Sequence, residues 1–244
     1  MTSVACRHVI ILALCLTSGI VDVVGYLSLG HVFTSNMTGN IVLMGLAIGH
    51  AEGFAILRSL IALVGFIMGT GFAAVIIGRT TDTSFWPKSV TAALTVEGGF
   101  LLLFAIMTLS DSSPSETMIY LLITLLSLAM GMQTTAARRL GVAAISTTVL
   151  TNNLANVIED VVSTIRGWVR NNHFPSIKWD SMLRLAAIVI YCLGAAMATV
   201  AERSYPLAII WVPIVLVALI LVTAVTYFPK LESIGKKASG VKNS

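Results

Sequence analysis

Two carboxyl residues, Asp22 and Glu97, stand inside long apolar runs that contain no basic residue. An ionisable side chain at the centre of a membrane helix costs about 2.5–3.5 kcal/mol on insertion scales, so such groups mark candidate functional positions. A carboxyl that takes up and releases a proton at that depth is what proton coupling requires. The competing reading is structural, with the acid hydrogen-bonding a neighbouring helix or capping interrupted backbone. The polar patch Thr34-Ser35-Asn36-Met37-Thr38-Gly39-Asn40 is matched by Thr147-Thr148-Val149-Leu150-Thr151-Asn152-Asn153, both reading T-[ST]-x-x-T-x-N.

Ser, Thr and Asn compete with helical backbone hydrogen bonds and favour N-caps. Asn36 or Thr38 is therefore expected to cap a half-helix running from about Gly39 to Ile48. An exposed half-helix N-terminus offers free N–H groups and positive dipole charge to a polar guest. The alternative is that these residues only satisfy broken backbone at membrane depth. The candidate substrate- or ion-binding set is Asp22, Glu97, Gln133, Thr34, Ser35, Asn36, Thr38, Asn40, Thr147, Thr148, Thr151 and Asn153.

Elements that cross a bilayer must position these residues. Of the 244 residues, 57% are hydrophobic and 11% charged, and the mean hydropathy is +0.92. Soluble domains carry about 25% charged residues, so a water-soluble enzyme, a disordered chain and a collagen-like repeat are excluded. A span needs about 20 apolar residues. Six segments qualify, at 9–30, 56–78, 89–109, 117–137, 184–202 and 207–228. Pro206 suits the start of the sixth, and Pro213 is expected to kink it. The N-terminal apolar run lacks a cleavage site, so it reads as a retained helix. Two shorter stretches, Met37–Ile48 and Val142 to about Ile158, have the length or polarity of re-entrant or interfacial segments.

With neither short segment crossing and the N-terminus inside, every one of the 15 basic residues except Arg58 and Arg203 falls on the cytoplasmic side. That bias sets orientation. It predicts a multi-pass membrane protein with both termini cytoplasmic. Arg138 and Arg139 read as orientation anchors. Ile158–Trp179 reads as an amphipathic helix and loop at the inner interface, and the basic tail 230–244 as a contact for anionic lipid.

Leu29-Gly30 recurs as Leu140-Gly141 ahead of the second patch, which sets Asp22 opposite Gln133. The expected fold is all-α: a polytopic membrane protein with six transmembrane helices, two short re-entrant half-helices and a 3+3 inverted repeat. Residues 1–244 form one membrane domain, with repeats at 1–110 and 111–229 and a tail at 230–244. Gly19-x-x-Asp22, the run from Gly30 through Phe33-Thr-Ser-Asn-Met-Thr-Gly-Asn40, and Gly131-x-Gln133 resemble the YoaK-like family of small bacterial inner-membrane proteins. That resemblance implies a six-span membrane protein carrying a domain of unknown function, and it brings no substrate or catalytic residue.

Phosphate-loop, nucleophile-elbow and zinc-protease motifs are absent from the sequence. Cys6, Cys15 and Cys192 have neither disulfide nor metal spacing, and the four histidines are scattered. No enzyme activity, cofactor or metal is expected. Nucleic acid is not an expected partner, because the basic residues form no stripe interleaved with aromatics. Gly45-x-x-x-Gly49 and Gly65-x-x-x-Gly69 favour close helix contact within the chain over a homodimer. The expected function is secondary transport or export of a small solute, coupled to protons. The alternative is a non-transporting accessory or scaffold protein in the lipid bilayer.

Overall fold

The computed structural model describes residues 3–51, 55–78, 85–109, 114–142, 145–148, 150–171 and 179–229. The basic tail at 230–244 lies outside them. The ordered elements are helical: α1 (Ser3–Ser28), α2 (Met37–Ile48), α3 (Ile56–Ile77), α4 (Lys88–Leu109), α5 (Glu116–Leu140), α6 (Leu150–Asn171), α7 (Trp179–Ser204) and α8 (Trp211–Thr226), the last preceded by a 3-10 turn over Ala208–Ile210. Six are long and apolar enough to span a membrane, the sixth being Ala208–Thr226 with its leading turn. The chain is a polytopic α-helical membrane protein. Its outer surface carries exposed apolar side chains along the spans, such as Val75 (82% exposed) and Val200 (68%), as a lipid-facing surface requires.

α1 packs along α7, and α3 along α5. Both crossings are made close by glycine. A Cβ at Gly19 would collide with the Tyr191 carbonyl, and one at Gly194 with the Leu16 carbonyl. On the other side, a Cβ at Gly69 would meet the Leu128 carbonyl, and one at Gly131 the Phe66 carbonyl. Small residues let helix backbones touch where lipid supplies no hydrophobic drive for association. The Gly65–Gly69 pair therefore serves packing within the chain.

Two expectations change. α6 is one continuous helix, so the second short segment and the interfacial helix are a single element. Its sequence offers no proline to break it. Leu154, Ile158, Val161, Val162 and Ile165 form an exposed apolar stripe along it. Pro213 sits in the first turn of α8, where its missing N–H breaks no helical bond, rather than inside a kinked span.

Candidate functional site

Asp22 lies six residues before the C-terminal end of α1, about 9 Å at 1.5 Å per residue. The chain beyond α1 folds back to that depth. Asp22 Oδ1 accepts from the backbone N–H groups of Thr34 (2.9 Å), Ser35 (2.6 Å) and, more weakly, Asn36 (3.4 Å). Oδ2 accepts from Ser35 Oγ and from the Tyr191 hydroxyl of α7, both at 2.6 Å. Donors converge on a group that is buried to 2% exposure.

Asn36 caps α2 as expected, its side chain accepting from Gly39 N at 3.1 Å. α2 is 12 residues long, about 18 Å, too short to span a bilayer. It is a short apolar helix that starts at the depth of Asp22, with Ile41, Val42, Leu46 and Ile48 exposed. Asn40 closes the loop: Phe33 N donates to its Oδ1 (2.8 Å) and its Nδ2 donates to Phe33 O (2.6 Å).

The second patch builds the same clasp. Ser146 N donates to Asn153 Oδ1 (3.1 Å), and Asn153 Nδ2 donates to Ser146 O (3.0 Å), again seven residues apart. Where the first loop has Asp22, the second has Thr134, six residues before the end of α5, hydrogen-bonded to Thr148 at 3.3 Å. The expected match of Asp22 with Gln133 is therefore shifted by one residue. Thr147 is buried with its hydroxyl unpaired. Thr38 and Thr151, by contrast, are exposed and join neither clasp.

Gln133 instead reaches across to α1. Its Nε2 donates to Leu14 O (3.1 Å) and to Ser18 Oγ (2.8 Å), while its Oε1 has no partner. Glu97 is completely buried on α4, and neither carboxyl oxygen has a partner. Asp22 and Glu97, expected to work as a pair, are not joined by a hydrogen bond. Each instead holds its own place. Two apolar clusters fill the bundle. One contains Leu14 and Cys15 of α1, Ala93 and Leu94 of α4, and Met132 and Ala136 of α5. The other contains Ile20 and Val21, Leu101 and Phe104, and Ala129 and Met130 of the same helices. On α1 and α4 the changeover falls at Thr17, Ser18 and Glu97, all buried, whereas the buried Gln133 of α5 lies between Met132 and Ala136 of the first cluster. Glu97 therefore sits between the two apolar clusters, and Asp22 belongs to the loop clasp.

Known proteins point the same way as the topology. Residues 10–223 match the family described as "Protein of unknown function (DUF1275)". The chain is 46% identical over 237 residues to the UPF0700 transmembrane protein YoaK of Bacillus subtilis (strain 168), across 97% of this chain and the whole of that protein. The chain belongs to the DUF1275 family. No solved structure matches it significantly.

Two groups of this DUF1275 chain escaped sequence reasoning. Tyr191 is one tyrosine in an apolar helix, and only the α1–α7 crossing carries it to Asp22. Glu202, at the far end of α7, is 7% exposed. It accepts from Leu207 N at 2.9 Å and from the Ser28 hydroxyl, tying the end of α1 to the turn before α8. Its place in a Glu-Arg pair at a span end resembles an ordinary interface residue, so no signal marks it. At the opposite face, Asp160 of α6 accepts from Ser181 (2.5 Å) and Arg184 (3.1 Å) of α7. This cluster fixes α6 to the bundle.

Proposed function

We propose that the protein is a secondary transporter or exporter of a small solute, coupled to protons, in the bacterial plasma membrane with both termini in the cytoplasm. In this reading its halves are inverted repeats that rock against each other. The observation that carries it is the duplicated clasp. Each half has a long helix, a polar loop returning to the helix, an Asn bonded to the residue seven earlier, and a new helix starting at depth. Broken helices of this kind, in two halves of opposite orientation, recur in secondary transporters with a site near the midplane. The exchanged glycine contacts of α1 with α7 and α5 with α3 support the same symmetry.

Saturation of Asp22 by donors favours a positioning role for that residue, so proton exchange is assigned to Glu97. The solute is found by screening purified protein for thermal stabilisation, since a ligand of the folded state raises Tm. Its flux is then measured in proteoliposomes under an imposed pH gradient. Glu97→Gln is expected to retain solute stabilisation and lose the response to the gradient. A gradient response equal to wild type in that variant contradicts the assignment.

A further inference from the structure

We infer that the second clasp is a binding site for the carboxylate of a small organic acid, held as the first clasp holds the carboxylate of Asp22. The inference rests on the transport reading, since it names the class of the solute, but binding alone decides it.

The two clasps correspond residue by residue. Thr34 and Ser35 follow Phe33, which Asn40 holds, and Thr147 and Thr148 follow Ser146, which Asn153 holds. In the first clasp the N–H groups of Thr34 and Ser35 donate to Asp22 Oδ1, and the Thr34 hydroxyl donates to Val21 O (3.3 Å). In the second, the N–H groups of Thr147 and Thr148 have no acceptor among the described residues. The Thr147 hydroxyl has none either. Thr147 is 1% exposed and Thr148 3%, so bulk solvent does not serve these groups. Buried N–H groups are nearly always paired. Two adjacent ones with a hydroxyl beside them call for an acceptor from outside the chain.

Two residue differences produce this. Thr134 stands in the place of Asp22, and its hydroxyl is engaged with Met130 O (2.8 Å) and Thr148 Oγ1 (3.3 Å). In sequence, Val149 stands where Asn36 caps α2, and a valine side chain has no acceptor for the first turn of the next helix. The start of the 22-residue α6 adds its own N–H groups and the positive end of its dipole.

The donors fix the class of guest. Asp22 shows the fit: a carboxylate takes two adjacent N–H groups on one oxygen and turns the other toward hydroxyls. Nearby charge favours an anion. Arg138 and Arg139 follow Thr134 on α5, and Arg7 donates to Leu140 O at the end of the same helix. The acids of α6 lie further along it: Asp160 is held by Ser181 and Arg184, and Glu159 is exposed. Helix N-termini aimed at a solute carboxylate recur in transporters with broken helices.

The test is the melting temperature of the purified full chain in detergent at pH 7 and constant ionic strength. Sodium acetate, lactate, succinate, benzoate and glutamate are titrated against sodium chloride, with sodium sulfate and phosphate alongside. The expected result is a rise of about 3–5 °C at ten times Kd for at least one carboxylate. Thr147→Val should weaken that binding about tenfold. Thr134→Asp supplies a carboxylate from the chain itself, so it should abolish the response. Indifference of the wild type to every carboxylate overturns the site. So does a carboxylate response that Thr147→Val leaves unchanged, which decides the matter even if Thr134→Asp fails to fold. A rise from sulfate or phosphate equal to that from the carboxylates overturns the assignment to a carboxylate. None of these results alters the gradient response expected of Glu97, so the transport reading stands or falls separately.

Discussion

The two intramembrane carboxyls look alike in sequence and opposite in structure. Asp22 collects bonds from Thr34, Ser35 and Tyr191, and Glu97 collects none. Removing the first should therefore destabilise the fold, and removing the second should not. Asp22→Ala strands several buried donors at once and is expected to cost about 3 kcal/mol or more, and Tyr191→Phe about 1.5–3 kcal/mol. Glu97→Met discards a buried polar group with no protein partner, so it is expected to be neutral or stabilising by up to about 2 kcal/mol. Denaturation midpoints in detergent measure both, and the reverse order would refute the division of roles. The candidates themselves were legible because charge inside an apolar run is costly. The Tyr191 partner of Asp22 was not, since it is brought in by helix packing that no local pattern encodes.

At the scale of elements, the six spans follow from hydropathy alone, and the Asn36 cap of α2 from the polar patch. The register between halves was harder to read. Aligning Leu29-Gly30 with Leu140-Gly141 pairs Asp22 with Gln133, but the glycine crossings and the loop bonds pair it with Thr134. The loops between helix end and clasp differ in length, so one local match does not fix the next. α6 was divided in the sequence because its composition changes near Ile158, from Thr and Asn to charged residues. Helix continuity depends on backbone breakers, and no proline is present. The glycines make a sharp test. Alanine at Gly19, Gly69, Gly131 or Gly194 presses a methyl group into a carbonyl of the facing helix and is expected to cost about 1–3 kcal/mol at each. Alanine at Gly45 or Gly71, where nothing lies within 4 Å, should instead be neutral or stabilise by about 0.5–1 kcal/mol. Equal effects at all six positions in thermal unfolding would contradict the packing described.

At the scale of the whole molecule, the account rests on one arrangement: two halves threaded through the bilayer in opposite directions, with both short segments failing to cross. Opposite threading puts α2 and its loop at one membrane face and the start of α6 at the other. The ion pair of Arg58 with Glu116 (2.7 Å) and the contact of Asp160 with Arg184 close the bundle at opposite ends. The direct measurement is labelling of single cysteines, placed at His50, Lys88, Gly141 and Tyr205 in a chain whose own three cysteines are replaced, by a membrane-impermeant maleimide on intact cells. Positions 50 and 205 are expected to react from outside, and positions 88 and 141 only after the membrane is opened. Labelling of 88 or 141 in sealed cells would contradict the opposed halves and the seam built on them.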